Sequence, residues 1–108
     1  YPELRGADLE CRAKLSELAT ANDTRKYLLR QFTNHAARVG NAPHPLANWF
    51  VITGLSQELL NQDWPDKNTR WGAIPDDEFK AAVGRLFDEH DALLQAVGAA
   101  TTEGVIWR

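Results

Sequence analysis

The chain has 108 residues, of which 44% are hydrophobic and 25% are charged, and its formal net charge is −3. This length predicts a single domain over residues 1–108, and no apolar run approaches the roughly 20 residues that a membrane helix requires. The small net charge excludes an overall electrostatic attraction to nucleic acid or to an anionic membrane.

Cysteine and methionine usage bears on the origin of the chain. Cys11 is the one cysteine, so no disulfide can form within the chain, which favours a reducing compartment such as the cytoplasm. The sequence has no methionine and begins with Tyr1, whose bulk is a poor context for removal of an initiator. We therefore expect an excised domain or a processed product.

Two amphipathic helices are predicted in the first part of the chain. The first covers residues 6–21, and a short break separates it from the second. Asp23 or Thr24 is suited to cap the second helix, and Gly40 is suited to end it. The short break predicts an antiparallel hairpin of the two helices. The apolar residues of the first helix include Leu4, Cys11, Leu15 and Leu18, and those of the second are Leu28, Phe32, Ala36 and Val39.

A third helix is predicted from Pro45 to about Asn61, because proline is tolerated in the first turn of a helix. Its apolar side chains project around most of the helix circumference, which is not the pattern of a helix with one solvent-facing side. We therefore expect it to be the central element, or to have a second face covered by another chain or by the following loop. Its apolar residues are Trp49, Phe50, Val51, Ile52, Leu55, Leu59 and Leu60.

Residues 62–75, here called the Trp segment, are rich in turn-forming residues and are predicted as a long loop. After Pro75, Asp76 or Asp77 is suited to cap a fourth helix. The apolar face of that helix is the clearest in the sequence, which makes it a strong contributor to the core. This face consists of Phe79, Val83, Leu86, Leu93, Leu94 and Val97.

The predicted architecture is all-α: a four-helix bundle, antiparallel, with a long tryptophan-containing loop between the third and fourth helices. A β-rich fold would require period-2 alternation, and only residues 105–107 are short and β-prone enough to be considered as a strand. We expect this short tail to dock on the bundle.

Charge is unevenly distributed along the sequence. The segment from Thr24 to Gln57 has four Lys or Arg residues and no Asp or Glu. The spacing is four residues from Lys26 to Arg30 and eight from Arg30 to Arg38. These multiples of four place the three side chains on one polar face of the second helix. The favoured interpretation is a solvated face whose partners are acids on neighbouring helices. The alternative is a cationic strip for nucleic acid, with a weak and salt-sensitive grip, or for an acidic protein surface.

His35, His90 and Cys11 are predicted to face the interior, because each lies on an apolar stripe of its helix. Three such side chains could ligate a metal or a haem inside a bundle. However, no two of them occupy one helix at the spacing typical of such sites, so a buried structural role is favoured and no cofactor or metal is predicted. Replacing His90 with Leu is expected to preserve folding if the partner of the imidazole is weak.

Trp64, Arg70 and Trp71 are the predicted partner-binding patch, together with Trp49 and Phe50 of the third helix. Tryptophan and arginine are the residue types most enriched at binding hot spots. Capping of the core by the two loop tryptophans is the competing interpretation. Trp71 is the preferred contact residue of the two, because Gly72 frees the backbone beside it to present the ring.

Catalysis has little support in the sequence. Asp88, Glu89 and Asp91 flank His90, but adjacent helical residues point in different directions and do not form a converging acid–base pair. No phosphate-binding loop or nucleophile motif is present. The sequence therefore predicts a non-catalytic protein–protein interaction module that binds a macromolecular partner or itself. The alternatives are a metal- or haem-binding bundle and a weak nucleic-acid-binding protein.

Overall fold

The computed structural model describes residues 6–21, 23–37 and 43–97, without the side chains of residues 43 and 97. Within this part of the chain there are helices and no strand, which confirms the all-α prediction. The four α-helices are α1 (Gly6–Thr20), α2 (Arg25–Asn34), α3 (Pro43–Leu55) and α4 (Asp76–Val97). A π-helix (Ser56–Leu60) continues α3, and a 3₁₀-helix (Trp71–Ala73) lies within the Trp segment.

Helix α3 is the central element, as its apolar circumference predicts. It contacts α1, α2 and α4, and different sides of the helix are buried by the different neighbours. At Gly54 the approach of α4 is so close that a Cβ would collide with the side chain of Leu86. The fully or almost fully buried apolar side chains of α3 are Leu46, Ala47, Val51, Ile52 and Leu55.

The first two helices pack differently from the predicted hairpin. Helix α1 contacts α3 and α4, whereas α2 contacts α3 and the 3₁₀-helix. Among the described residues, contact between α1 and α2 is limited, although Lys14 Nζ lies 4.6 Å from the centre of the Phe32 ring. Because α3 offers apolar surface on several sides, both helices bury their own apolar faces against it.

Helix α2 ends earlier and faces a different direction than its sequence pattern predicts. Its last residue is Asn34, well before Gly40, and the His35 N–H donates to the Gln31 carbonyl at 3.1 Å as the helix closes. Leu29 is fully buried, whereas Leu28 of the predicted stripe is only partly buried. The predicted inward position of Ala36 therefore falls outside the helix, and Val39 lies outside the described residues.

The π-helix that continues α3 ends at Leu60, in agreement with the predicted end of the third helix near Asn61. Asn61 has a φ of 54°, in the left-handed region that asparagine enters more readily than most residues. The Gln62 N–H donates to the Ser56 carbonyl at 3.2 Å and closes the last turn. The chain then leaves the helix axis and enters the Trp segment.

Helix α4 presents the predicted apolar face to the core. Phe79, Val83, Leu86 and Leu94 are buried, and Leu93 is partly buried. Three acidic residues occupy its first turn, where carboxylates interact favourably with the helix dipole. None of the helices in the described ranges combines the length and the apolar character that crossing a bilayer requires. The predictions for Leu4, Arg38 and the tail at residues 105–107 fall outside the described residues, as does the side chain of residue 97.

Candidate functional site

A groove of about 660 Å³ lies between α2 and the Trp segment. It joins two features that the sequence suggests separately, the basic face of α2 and the tryptophan-bearing segment. One wall comes from α2 and the other from residues 64–73, which follow α3 and the π-helix in the chain. The groove is lined by Lys26, Arg30, Thr33 and Asn34 of α2 and by residues 64–73 except Asn68.

Arg25 holds the two walls of the groove together. Its side chain is buried, and its Nη2 donates to the backbone carbonyls of Ile74 at 2.9 Å and Trp71 at 3.2 Å. Its Nη1 lies 3.4 Å from an Asp76 carboxylate oxygen, and the guanidinium stacks over the Phe79 ring at 4.4 Å. Arg25 thus satisfies carbonyls that precede α4 and fixes the Trp segment against α2.

Arg25 is not among the predicted site residues, although its position in the sequence of α2 indicates that it is buried. Arg25, Leu29 and Phe32 recur at i, i+4 and i+7, and all three are buried on one face of α2. A basic residue at the start of an apolar stripe indicates an arginine that turns inward. Only the position of the partner carbonyls in three dimensions identifies what it binds.

The groove gathers cations that have no acidic partner among the described residues. Lys26, Arg30, Lys67 and Arg70 are all exposed, and none lies within 4.0 Å of a described carboxylate oxygen. The one acidic lining residue, Asp66, uses Oδ1 to accept from the Asn68 N–H at 2.6 Å. The favoured expectation of acid partners on neighbouring helices is therefore wrong for Lys26 and Arg30.

The two tryptophans of the Trp segment have different environments. Trp71 is only 8% exposed and belongs to the core cluster, so the preference for it as the freer contact residue is wrong. Trp64 is half-buried and stacks on the Trp49 ring, with 4.9 Å between ring centroids and 27° between planes. Phe50 lies apart from the groove lining and contacts the His90 ring edge-on, with centroids 5.9 Å apart.

A second polar cluster joins α1 to α4 in the interior. His90 Nε2 lies 2.8 Å from Asp8 Oδ1, and both side chains are almost completely buried. Arg12 Nη1 lies 3.3 Å from His90 Nδ1 and donates to Asp91 Oδ1 at 2.7 Å. Because arginine can only donate, Nδ1 is the acceptor, and the proton of the neutral imidazole lies on Nε2 and is donated to Asp8. The predicted burial of His90 is confirmed.

The three metal candidates, His35, His90 and Cys11, are not grouped into a metal site in the described part of the chain. Cys11 is fully buried, and burial, with the Asp8 carboxylate nearby, raises the pKa of its thiol to about 12. A protonated thiol is a poor ligand and a poor nucleophile. Both ring nitrogens of His90 are already engaged, and within the described ranges no three His, Cys, Asp or Glu side chains are grouped to hold a metal ion.

His35 is exposed, so the prediction that it faces the interior is wrong. The reason is that α2 ends at Asn34, so the helical phase that carries His35 inward does not extend to it. Asp88 and Glu89 are likewise exposed, and neither converges on the buried imidazole.

Comparison with family models, with curated proteins and with solved structures finds no match to this chain. The groove brings together Trp64, Arg70 and Trp71 of the predicted patch with Lys26 and Arg30 of the predicted basic face.

Proposed function

We propose that this chain is a non-catalytic helical module that binds a partner protein in the groove between α2 and the Trp segment. The observation that supports this proposal is the convergence of two separate sequence features on one concave surface. Arginine and tryptophan, which are enriched at binding hot spots, line the same groove. Concave sites with aromatic walls and a few polar groups are the usual form of binding sites.

The rigidity of the groove supports binding rather than a passive role. Arg25 bonds to the carbonyls of Trp71 and Ile74 and so connects the Trp segment to α2. Trp71 anchors the same segment in the core, and Trp64 stacks on Trp49 of α3. A surface whose walls are held in place by buried contacts loses little conformational entropy when a partner binds.

A different protein is a better-supported partner than a second copy of this chain. The expectation of self-association depends on surplus apolar surface on α3, and the fold uses most of that surface. Val51, Ile52 and Leu55 are fully buried. Among the described residues, the exposed large hydrophobic side chains are Leu9 and Tyr27, which are not part of α3. This leaves the groove as the better candidate interface.

Site-specific photo-cross-linking in the cells from which the chain derives tests the proposal. A photoreactive residue at Ala73, an exposed groove position, is compared with one at Ala81, an exposed position on α4 outside the groove lining. We expect a discrete protein product at Ala73 and none at Ala81. The product should disappear when Arg30 is replaced by Glu, because that change alters the groove and not the cross-linker.

Each other outcome has a defined meaning. A nuclease-sensitive product at Ala73 would replace the proposal with nucleic-acid binding, and a product of twice the chain mass would replace it with self-association. Equal products at Ala73 and Ala81, or a product unaffected by Arg30→Glu, would show that the groove is not the docking surface.

A further inference from the structure

We infer that the segment of the partner that docks in the groove is acidic: a short stretch of chain with several carboxylates and an apolar side chain that packs against Trp64. This inference rests on the proposed function and adds the chemistry of the partner to it. It follows from which cations of this protein have acidic partners and which do not.

Among the described residues, the cations outside the groove contact acidic or aromatic side chains within the fold. Arg12 pairs with Asp91 at 2.7 Å, Arg85 with Glu58 at 2.7 Å, and Lys80 with Asp76 at 3.1 Å. The buried Arg25 also reaches Asp76, and Lys14 lies over the Phe32 ring. In the described part of the chain, the remaining Lys and Arg residues are the four that line the groove; none of them has an acidic partner there, and Lys26 Nζ lies 5.3 Å from the centre of the Tyr27 ring.

This distribution does not arise from a shortage of acids. The chain has 15 Asp and Glu residues against 12 Lys and Arg residues, so carboxylates are available to pair with every cation. The groove nevertheless contains four cations and one carboxylate. Like charges gathered on one surface repel one another, and a ligand that supplies carboxylates relieves the repulsion while it binds.

The residue types favour carboxylates at defined positions. Arg30 and Arg70 project from opposite walls, and each guanidinium can bind a carboxylate through two parallel hydrogen bonds. Lys26 and Lys67 add positive charge that attracts the same segment without demanding one geometry. A volume of about 660 Å³ lies within the range of roughly 300–1,000 Å³ typical of ligand pockets, so the groove suits a few residues rather than a whole domain.

The aromatic residues favour a peptide over a nucleic acid. Binding of single-stranded nucleic acid relies on bases that stack on open aromatic faces. Trp71 is 8% exposed, and one face of the Trp64 ring is occupied by Trp49.

Fluorescence anisotropy with two labelled peptides tests the inference. One is a ten-residue peptide of Glu and Leu, and the other has Gln in place of every Glu. We expect the Glu peptide to bind at least about tenfold more tightly than the Gln peptide, because hydrogen bonds between a guanidinium and a carboxylate are stronger than those to a neutral amide. Arg30→Glu and Arg70→Glu should each weaken binding of the Glu peptide by about tenfold.

Lys14→Glu is the matched control, because it makes the same change of charge at a cation outside the groove. We expect it to alter binding of the Glu peptide by less than about twofold, since Lys14 does not line the groove and solvent and salt screen its charge. Circular dichroism of each variant verifies that a loss of binding does not follow from unfolding. A ten-residue oligodeoxythymidylate in the same assay measures any preference for phosphate.

Equal binding of the Glu and Gln peptides, or equal weakening by Lys14→Glu and Arg70→Glu, overturns the acidic-segment inference. Tighter binding of the oligonucleotide than of the Glu peptide, with the same dependence on Arg30 and Arg70, overturns it in favour of nucleic acid. A protein cross-link at Ala73 that depends on Arg30 would leave the proposed function standing even if the Glu peptide fails. If neither the Arg30-dependent cross-link at Ala73 nor binding of the Glu peptide is observed, both proposals are wrong.

Discussion

Two charged regions of this protein differ in what their charges contact. Between α1 and α4, Asp8, His90, Arg12 and Asp91 form a chain of contacts between 2.7 and 3.3 Å, and its Asp8–His90 pair is buried. Along the groove, the four cations are exposed, and none lies within 4.0 Å of a described carboxylate oxygen. The comparison teaches that pairing, rather than composition, distinguishes the charges that hold the fold from the charges that have no acidic partner among the described residues.

The aromatic residues divide in the same way. Trp71 contributes its ring to the core, whereas Trp64 remains half-buried beside the groove. One segment of chain therefore supplies both a ring that is buried in the core and a ring that stays half-buried at the groove. The following predictions test this division, beginning with the largest expected effect.

The largest effect should come from removal of the anchor. Trp71→Ala is expected to lower the free energy of unfolding by about 3–5 kcal/mol, because a large buried aromatic side chain leaves a cavity. Trp64→Ala should cost about half as much stability, since part of its ring is already solvated, but should weaken partner binding by about 2 kcal/mol. Chemical denaturation and binding are measured on the same two variants. A larger loss of stability for Trp64→Ala would reverse the assignment of anchor and contact.

The buried network between α1 and α4 predicts the next effect. His90→Leu removes the N–H that Asp8 accepts and should destabilise the protein by about 2–3 kcal/mol, because a hydrogen bond to a buried carboxyl group is lost. The tolerance expected for a weakly partnered imidazole does not apply here, since the partner is almost completely buried.

A double-mutant cycle isolates that interaction. His90→Leu, Asp8→Leu and the double variant are compared by urea denaturation. We expect the double variant to be less destabilised than the sum of the single variants, because both polar groups leave the interior together. Additive losses would show that Asp8 and His90 contribute independently.

The thiol in the same interior region predicts a dependence on alkaline pH. Burial raises the pKa of Cys11 from its ordinary value of 9.0 to about 12, so between these values the unfolded state loses a proton that the folded state keeps. The stabilisation is present below pH 9 and is lost as the pH rises towards 12. Wild-type stability should therefore fall more steeply than that of Cys11→Ala, by at most about 1.4 kcal/mol per pH unit. Parallel curves for the two proteins would contradict this account of the thiol.

The smallest effect is expected in the groove. Lys67→Glu should change the free energy of unfolding by less than about 0.5 kcal/mol, because the exposed Lys67 side chain forms no ion pair with the described residues. Thermal or chemical denaturation measures this directly. A loss of more than 1 kcal/mol would place Lys67 among the charges that hold the fold.

Several elements were predictable because they depend on local periodicity. The apolar spacing of α4 identified Phe79, Val83 and Leu86 as core residues and His90 as buried, and all are buried. The apolar side chains around most of the circumference of α3 identified it as the helix that contacts the other three. The end near Asn61 was also predictable, since a left-handed residue there terminates the helix.

Other features were not predictable because they depend on contacts between distant parts of the chain. The prediction that His35 faces the interior was wrong because the early end of α2 could not be recognised from the apolar pattern alone. The burial of Trp71 depends on its place in the core and beside Arg25, which is 46 residues away in sequence. Nothing in the sequence next to Trp71 or Arg25 indicates that these two residues come into contact in the fold.

The sequence by itself determined the helices, the central position of α3 and the uneven distribution of charge, because helix formation and amphipathicity arise from residues within a few turns of one another. Only the tertiary structure decided which charges are paired, since Asp8 and His90 are 82 residues apart and the walls of the groove come from separate stretches of chain. Coulombic attraction and hydrogen bonding act over a few ångströms in space, so the partners of a charged side chain depend on how the helices pack.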